Sequence, residues 1–494
     1  MNKSIRRMAT LVTAMFLVLM VATTAVQFFQ AASLDASPFN ARRRMYRDYG
    51  RHRGPLVAGG VVIAESVPVD SPFRFQRIYS AGDPDQAAMW APVTGFFSIV
   101  HGTSMLESSQ NQWLTGQANA QWVTRIQDLL TGRETQGASV EITIDPAIQE
   151  AAWRALGDQR GAVVVVEVDT GRILAMVSTP SYDPNRLAAL DTALAGAAWD
   201  EFIAADGDPM INRALGALYP PGSSFKLIPA AAALETGYLT SIDADIPAPH
   251  RFTIPGTTHQ MQNFGDAVCS PTDEMSMRAA MTMSCNTSFA QLAVNLGAQA
   301  FITQAERFGL GDAFTVPMTS ATSRINNLDA LTPDRLALAG IGQGDVVVTP
   351  LQMAMISQAI ANNGVMMQPQ LVDRIRNAEL EIIHEFSPSQ LRVSVTTSTA
   401  SALRAMMDDA VNAPGATGGA ARIAGVSVAG KTGTAEWREG YAPHTWFTGF
   451  APVDNPRVAI AVVVEEGGAL GMAGTGGSVA APIASQVLQA VFQP

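Results

Sequence analysis

The feature that most constrains this chain of 494 residues is an uncharged run of 22 residues, 8–29. A helix that spans a bilayer needs about 20 apolar residues, whereas the apolar core of a cleaved signal peptide has roughly 7–15. We therefore expect residues 8–29 to form a retained membrane anchor, with a cleaved signal peptide as the alternative.

The charges that flank this run predict its orientation. Residues 1–7 carry three basic side chains beside the run, whereas the next arginines begin at Arg42, 13 residues beyond Phe29. Positive charges close to a span are retained on the cytoplasmic side of the membrane. The sequence thus favours a single-pass protein of the cell membrane with residues 1–7 in the cytoplasm and the body outside it.

Composition limits what the body binds. A net charge of −11 argues against general nucleic-acid binding. The six histidines show no spacing typical of a metal site, and the chain has no phosphate-binding loop of the usual pattern. We therefore expect no metal, no cofactor and no nucleic-acid partner.

The pattern of turns and apolar runs divides the body at about residue 138. Residues 30–138 alternate short apolar runs with Gly, Pro and Asp and lack a cluster of catalytic residue types, which predicts a small strand-containing accessory domain. In residues 139–494, strands at both ends enclose a mainly helical middle, which predicts an α+β domain with a sheet backed by helices. The predicted strands are 140–145, 161–168, 173–178, 426–428, 430–437, 445–451 and 457–465, and the flanking helices are 146–156 and one from about 479.

The segment 219–226, Tyr-Pro-Pro-Gly-Ser-Ser-Phe-Lys, precedes an apolar run and predicts a loop that delivers a serine to the first turn of a buried helix. Ser223 and Lys226 are three residues apart and project from one helix face. A hydroxyl needs a base to become a good nucleophile, and a lysine can be that base when burial lowers its pKa. The chain has 3 lysines against 29 arginines (32 − 3), and arginine cannot be a base, so Lys226 indicates chemistry. A stray lysine in an arginine-biased composition is the alternative.

Two further stretches supply polar groups of the same kind. Residues 284–286, Ser-Cys-Asn, follow an apolar helical stretch and offer a hydroxyl and an amide. Residues 431–434, Lys-Thr-Gly-Thr, lie on a predicted strand whose small residues let a substrate backbone approach closely. Taken singly, the first could be a polar helix end and the second a glycine-containing edge strand.

Together and in this order, the three stretches resemble the active site of penicillin-interacting serine enzymes: Ser-x-x-Lys, Ser-x-Asn and Lys-Thr-Gly. The resemblance covers nearly the whole chain and is closest to class B penicillin-binding proteins, the monofunctional D,D-transpeptidases, of the actinobacterial penicillin-binding protein A type. It implies a penicillin-binding transpeptidase or serine β-lactamase-like domain with an antiparallel sheet and a helical subdomain, preceded by a dimerisation or pedestal-like domain. Shorter stretches that agree with the family are 53–54, 161–164, 169–171, 178–185, 342–344 and 349–352.

The resemblance also implies a role for each polar residue. Ser223 would attack the D-Ala–D-Ala bond of a peptidoglycan stem peptide, with Lys226 as the base. Ser284 would relay a proton, Asn286 would bind the substrate amide, and Lys431 would add positive potential. The substrate-binding residues would be Thr432, Gly433 and Thr434, and the backbone N–H groups of Ser223 and Thr434 would form the oxyanion hole.

The same resemblance names ligands and partners. β-Lactams would mimic D-Ala–D-Ala and acylate Ser223, and a multi-span glycan polymerase would supply the glycan strands. Two alternatives stay open at this point. One is a hydrolase on the same fold, either a D,D-carboxypeptidase or a β-lactam hydrolase, and the other is a membrane scaffold or β-lactam sensor without turnover.

The only two cysteines, Cys269 and Cys285, are 16 residues apart. Outside the cytoplasm a pair of cysteines often oxidises. We therefore predict a disulfide between them, with two reduced core cysteines as the alternative, and the family motif itself does not require it.

Overall fold

The computed structural model describes residues 3–30, 49–118, 121, 132, 136–327 and 331–493. Helix α1 (Lys3–Thr24) continues into a π-helical turn (Ala25–Phe29), and none of the side chains in either segment is buried. Together they form a helix long and apolar enough to cross a membrane. The expected helical conformation of residues 8–29 is thus confirmed, while residues 31–48 of the expected accessory domain lie outside the described residues.

Short elements make up the accessory region. The carboxylate of Asp83 accepts hydrogen bonds from the N–H groups of Asp85 and Gln86, and Pro84 takes the first helical position, which together begin helix α2. The elements are β1 (Leu56–Ala58), β2 (Val61–Pro68), β3 (Phe75–Tyr79), α2 (Pro84–Thr94), β4 (Phe97–Ser98), β5 (Gly102–Thr103), α3 (Met105–Ser109), α4 (Asn111–Leu114) and β6 (Ser139–Ile142).

Strand β6 ends at Ile142 and not at the expected residue 145, and the region 139–494 then continues as the sequence predicts, with a helix and a β-hairpin. Helix α5 (Pro146–Leu156) begins at Asp145, whose carboxylate accepts from the next backbone N–H groups, and ends at Gly157. Strands β7 (Gly161–Glu167) and β8 (Ile173–Thr179) pair antiparallel. The expected strands over 161–168 and 173–178 are confirmed.

The middle of the body holds most of the helices, interrupted by short two-stranded pairs. The helices are α6 (Pro184–Leu187), α7 (Thr192–Ala204), α8 (Arg213–Gly216), α9 (Leu227–Glu235), α10 (Met277–Met283), α11 (Asn286–Leu296), α12 (Ala298–Arg307), α13 (Pro333–Ala339), α14 (Pro350–Ala361) and α15 (Thr397–Asn412). The strands are β9 (Asp245–Pro247), β10 (Arg251–Thr253), β11 (Gln260–Gln262), β12 (Glu274–Ser276), β13 (Arg324–Ile325), β14 (Val346–Val347), β15 (Val365–Met367), β16 (Val372–Arg376), β17 (Ile382–Glu385) and β18 (Gln390–Val393).

Three long strands and a helix close the chain, and here one expectation is wrong. Residues 426–428 form no strand, because Val426 folds back on Ile423 across a four-residue turn and has no neighbouring strand. The next strand ends at Ala435, two residues before its expected end. The elements are β19 (Ala429–Ala435), β20 (His444–Ala451), β21 (Val458–Val464) and α16 (Ala481–Phe492).

The catalytic sheet has the order β19-β20-β21-β7-β8 with antiparallel neighbours. Strand β7 shows how it is covered, because successive side chains point to opposite faces. Val163 and Val165 pack in a core that includes α5 and α16, whereas Val164 and Val166 pack in the core that includes α14. A sheet buried on both faces explains why this strand is a continuous apolar run.

A second, six-stranded sheet joins the accessory and catalytic regions in the order β17-β16-β6-β1-β2-β3. Strand β6 pairs in parallel with β1, Val140 opposite Leu56, and antiparallel with β16. Accessory strands and strands from the C-terminal half thus share one set of backbone hydrogen bonds, so the expected division at 138/139 runs through a sheet.

Candidate active site

The loop before α9 presents Ser223 on a tight turn. Residues Gly222–Lys226 form a 3₁₀ turn that leads directly into α9, so Ser223 and Lys226 stand one turn apart as their spacing predicts. Gly222 has φ +55°, and a Cβ there would lie 2.7 Å from Thr434 O. Only glycine allows both this backbone conformation and this close approach. The missing side chain lets residues 222–226, the nucleophile turn, pack directly on β19.

Ser284 lies at the junction of α10 and α11 in a left-handed conformation, φ +62° and ψ +43°. Such a conformation is uncommon for a residue with a side chain and is often found at functional sites. Asn263 Oδ1 accepts from the backbone N–H groups of Asn286 (2.7 Å) and Thr287 (3.1 Å), and so caps the N-terminus of α11. Asn263, which the sequence did not single out, thereby fixes the start of that helix.

Lys226 is fully buried at the floor of the site. Its Nζ lies 2.7 Å from Ser284 O, 2.8 Å from Asn286 Oδ1 and 3.3 Å from Ser284 Oγ. The first two are acceptors only, so a neutral amine donates both its hydrogens to them and keeps its lone pair for a hydroxyl. Burial lowers the pKa of Lys226 well below its usual value, and the nearby charge of Lys431 lowers it further. Among the described residues no hydrogen bond joins Nζ to Ser223 Oγ.

Lys431 approaches the same hydroxyl from β19. Its Nζ lies 2.8 Å from Ser284 Oγ and 3.1 Å from Thr432 O. Burial lowers the pKa of Lys431 to about 7. Within the described part of the chain neither buried lysine is paired with a carboxylate, so Ser284 Oγ lies between two amines that readily exist in the neutral form.

These groups border one cleft of about 350 Å³. The predicted residues that line it are Ser223, Ser284, Asn286, Thr432 and Thr434. Lys226 and Lys431 lie beneath its floor, and Gly433 packs behind it against Pro221 O. The other lining residues are Asn263, Phe264, Ala267, Cys269, Met283, Ile341, Gln343, Thr417, Thr475 and Gly477.

The two threonines of β19 are held by residues that the sequence did not single out. Thr417 and Thr432 share a hydrogen bond between their hydroxyls at 2.7 Å. Thr434 Oγ1 accepts from the N–H of Gly476 at 3.2 Å. Both partners lie outside the three motifs, so no local pattern could have identified them.

Cys269 and Cys285 are joined by a disulfide in the structure, with their Cα atoms 6.2 Å apart. Cys285 is buried and directly precedes α11, whereas Cys269 lines the cleft. The bridge therefore connects the cleft wall to the residue between Ser284 and Asn286.

Behind the nucleophile turn lies a buried polar cluster. Tyr219 Oη donates to Glu465 Oε1 at 2.7 Å, and Arg213 Nε donates to the same oxygen at 2.8 Å. Trp446 Nε1 donates to Pro220 O at 3.0 Å. These contacts fix the two residues at the start of the loop that carries Ser223, and no pattern in the sequence indicates the long-range partner Glu465.

His444 takes a structural position. Its ring stacks on Trp437 with centroids 5.3 Å apart and meets Tyr219 edge to face. Its Nδ1 accepts from the N–H of Glu466, and burial lowers the pKa of His444 to about 4. A neutral ring with these contacts packs beside the site and does not line the cleft.

The chain matches known families in both of its regions. Residues 161–489 match the penicillin-binding protein transpeptidase domain, and residues 53–140 match the penicillin-binding protein A dimerisation domain. The chain is 39% identical to the peptidoglycan D,D-transpeptidase PbpA of Mycolicibacterium smegmatis over 503 residues, 100% of this chain and 99% of the relative. It is also 39% identical to PbpA of Mycobacterium tuberculosis over 504 residues, with the same coverage.

Solved structures agree with this similarity. The ceftriaxone acyl-enzyme complex of penicillin-binding protein A from M. tuberculosis superposes with a TM-score of 0.85 at 38% identity, over 91% of this chain and 100% of that one. Its penicillin G acyl-enzyme complex gives a TM-score of 0.83 at 38% identity, over 90% and 100%. The expected transpeptidase fold with its preceding dimerisation domain is confirmed, and the chain belongs to the penicillin-binding protein transpeptidase family.

Proposed function

We propose that this chain is a peptidoglycan D,D-transpeptidase that passes the acyl part of one stem peptide through Ser223 to an amine of another. The observation that carries the proposal is the meeting of two fully buried lysines, Lys226 and Lys431, at Ser284 Oγ, in a cleft that Ser223 also lines. Full-length similarity to enzymes named peptidoglycan D,D-transpeptidase supports the substrate and the type of transfer.

Acylation begins at Ser223. Its Oγ bonds to the carbonyl carbon of the penultimate D-Ala while Lys226 Nζ takes the hydroxyl proton. The bond to the terminal D-Ala then breaks, and its amine leaves after receiving a proton through Ser284 Oγ, which borders both lysines. A lysine kept neutral by burial suits the first step, because an ammonium ion has no lone pair to accept a proton.

The charge that develops on the carbonyl oxygen is stabilised by the backbone N–H groups of Ser223 and Thr434. Direct packing of the nucleophile turn on β19 supports this pairing. Thr432 and Thr434 hold the terminal carboxylate of the substrate, Lys431 adds positive potential, and Asn286 binds the peptide amide. Gly433 keeps the strand small enough for the substrate backbone to lie beside it.

The second step regenerates the enzyme. An amine of a neighbouring stem peptide attacks the ester carbonyl, the bond to Ser223 Oγ breaks, and the hydroxyl regains its proton. The product is a new amide bond that cross-links two peptides. β-Lactams acylate Ser223 in the same way but leave an ester that neither amine nor water clears quickly.

The test is the intact mass of the full-length protein in detergent after incubation with benzylpenicillin, beside Ser223→Ala. We expect a stable adduct of one penicillin that is absent from the variant. An adduct that clears within seconds would favour a D,D-carboxypeptidase or β-lactam hydrolase instead. No adduct at any time would favour a scaffold or sensor without turnover and would overturn the assignment.

We also propose that the Cys269–Cys285 bridge forms in the body of the protein once this body lies outside the cytoplasm. The paired geometry of the structure supports it. Denaturing mass spectrometry before and after reduction should show a gain of two hydrogens, and an unchanged mass would disprove the bridge.

We propose that the enzyme is a single-pass membrane protein, with residues 1–7 in the cytoplasm and the body outside. The helix Lys3–Phe29 is long and apolar enough for this role. Alkaline phosphatase, which is active only outside the cytoplasm, should be active when fused after Pro494. An inactive fusion that is nevertheless made in full would reverse the topology.

The proposed cross-linking joins peptides and does not itself polymerise glycan strands, so another enzyme has to supply them. We propose a multi-span polymerase that contacts the anchor helix and the accessory domain, residues 30–138. Co-purification of such a polymerase with the full-length chain, lost when residues 1–29 are exchanged for another anchor, is the expected result.

A further inference from the structure

Strand β19 has one edge paired with β20 and the opposite edge facing the cleft. In an antiparallel pair, every second residue exchanges hydrogen bonds with its partner strand, and the residues between them turn their N–H and C=O groups the other way. Thr432 O meets the amine of Lys431 and not β20, so the backbone N–H and C=O groups of Thr432 and Thr434 face the cleft. The same alternation continued one residue beyond the end of β19 adds Glu436. A peptide bound along this edge therefore has three possible pairing positions.

The third of these positions is already filled. With its amide oriented so that donors meet acceptors, Gln343 donates through Nε2 to Glu436 O at 2.8 Å and accepts through Oε1 from Glu436 N at 3.0 Å. One side chain thus makes both hydrogen bonds that a residue of a bound peptide would make. The same side chain lines the cleft.

The first position is occupied at its carbonyl oxygen. Thr432 O already accepts from the amine of Lys431 at 3.1 Å. Among the described residues, the N–H and C=O groups of Thr434 have no hydrogen-bond partner on the cleft side. The edge of β19 therefore offers a bound peptide a single complete pairing position, at Thr434.

The backbone that carries Gln343 is held by hydrogen bonds, so its side chain can keep the pairing position at Glu436 occupied. Gly342 O accepts from the N–H of Gly222 at 2.9 Å, and the N–H of Gln343 donates to Leu338 O at 3.0 Å. Gly342 has φ +72°, and a Cβ there would lie 2.2 Å from Gly222 O. The loop that carries Gln343 is thus fixed to the nucleophile turn itself.

The expected direction of the substrate follows from its carboxylate. The terminal carboxylate lies towards Thr432, so the peptide runs antiparallel to β19, and the residue that carries the attacked carbonyl lies opposite Thr434. The residue two places earlier in the peptide then comes opposite Glu436. Its backbone groups meet a strand edge that Gln343 has already closed.

We propose that Gln343 is a specificity-determining residue that ends backbone recognition of the donor peptide after one position. The donor is then selected by its D-Ala–D-Ala end, and its earlier residues leave the strand without pairing. This inference rests on the proposed function, because it uses the direction of a bound stem peptide.

The test compares two ester substrates that differ only in backbone length. The short one is N-acetyl-D-alanyl-D-lactate and the long one is N-acetyl-glycyl-glycyl-D-alanyl-D-lactate, whose added residues carry no side chain. Acylation is followed by release of D-lactate and by intact mass, on the full-length chain in detergent. In the wild type we expect the two esters to acylate at rates within about twofold of each other, because the extension finds no free backbone partner.

In Gln343→Ala the long ester should gain about 3- to 10-fold over the short one, since Glu436 N–H and C=O become available. Gln343→Glu tests the same point with the side-chain volume kept, because a carboxylate cannot donate to Glu436 O, and its ratio should move in the same direction. Gln299→Ala, an exposed glutamine on α12 remote from the cleft, should leave the ratio unchanged.

Several results would overturn the inference. A loss of rate that is equal for both esters would make Gln343 only a support of the loop, and a larger loss for the long ester would make it a direct substrate contact. If Gln343→Ala does not fold, Gln343→Glu decides: an unchanged ratio of the long-ester rate to the short-ester rate would also overturn the inference. Failure of the wild type to be acylated by either ester or by benzylpenicillin would instead refute the proposed function.

Discussion

Two buried groups of cations, one in the accessory region and one in the active site, are stabilised in opposite ways. In the accessory region, Arg53 and Arg77 both contact the buried carboxylate of Glu107, with Arg77 Nε 2.6 Å from Oε1. Tyr79 Oη lies 3.2 Å from the same oxygen. In the active site, two buried lysines share a hydroxyl, and no carboxylate of the described chain pairs with them.

The pKa values follow this difference. Burial alone would raise the pKa of Glu107, but the two guanidinium groups outweigh it and the pKa is lowered, so the carboxylate stays charged. Burial lowers the pKa of Lys226 and Lys431 without an anion to oppose it. The comparison shows where this chain uses each cation: arginine where a buried carboxylate preserves the charge, and lysine at the two buried positions that have no carboxylate partner among the described residues.

The largest effect should come from exchanging the cations. Lys226→Arg keeps a positive charge that cannot be removed, so the site loses its base and acylation by benzylpenicillin should slow by about 10²- to 10⁴-fold. Stopped-flow or intact-mass kinetics give the rate. The matched exchange Arg53→Lys should leave that rate unchanged in the folded protein, and a variant Lys226→Arg that acylates normally would end the comparison.

Loss of the accessory carboxylate should affect folding stability more than acylation. Glu107→Gln leaves two buried guanidinium groups without their carboxylate and should cost about 3–5 kcal/mol of folding free energy, seen as a lower thermal midpoint. Acylation per folded molecule should not change. Lys226→Met removes a buried amine that has no anion, and with it the donor to Ser284 O and Asn286 Oδ1. Its thermal midpoint should therefore fall by less than that of Glu107→Gln while acylation is lost. An equal fall in both variants would show that the two groups are stabilised alike.

The pH dependence distinguishes the two groups as well. A lysine with a lowered pKa in the folded state binds its proton more readily when unfolded, so it makes stability rise with pH from its folded pKa to its unfolded value. For Lys431 this window runs from about 7 to its ordinary value of 10.5. Lys431→Met should therefore flatten the rise of the thermal midpoint between pH 7 and 10, whereas Arg53→Met should not alter that slope.

Acylation itself should also change with pH. The rate should fall as the pH drops through the lowered pKa of Lys226, because the protonated amine cannot act as a base. For ligands with a carboxylate it should fall again above about pH 7, where Lys431 loses its charge in the free enzyme. Lys431→Arg should remove the upper fall and keep the lower one.

The residues of the candidate site could be picked out in the sequence, because each of the three short patterns is local. Ser223, Lys226, Ser284, Asn286 and Lys431 lie where the three short patterns predict, and the alternating and continuous apolar runs predicted the catalytic sheet. Local patterns identify each stretch by itself, whereas the convergence of residues 223, 284 and 431 in one cleft was implied by the family resemblance, because these residues are far apart in the chain.

Long-range pairing could not be read in this way. The contact between Gln343 and Glu436, the hydroxyl pair of Thr417 and Thr432, and the bond from Tyr219 to Glu465 each join segments far apart in sequence. The wrong strand at 426–428 has the same origin, since a β-branched run forms a strand only where a neighbour exists. The paired Arg53–Glu107 cluster was equally hidden, although the family resemblance included the stretch 53–54.

The smallest expected effect concerns a third cluster, which shares features with both the accessory cluster and the active site. Glu465 accepts from both Arg213 and Tyr219, as in the paired accessory cluster, but Tyr219 begins the loop that carries Ser223. Tyr219→Phe removes one hydroxyl and leaves the Arg213 bond, so it should cost about 1 kcal/mol of stability. Because the loop loses one fixed point, the acylation rate constant should fall about 2- to 5-fold with little change in benzylpenicillin affinity.

Tyr182→Phe, which alters another buried tyrosine remote from the cleft, should cost similar stability without slowing acylation. Equal rates in the two variants would place Glu465 with the purely structural pairs and reduce the comparison to two groups.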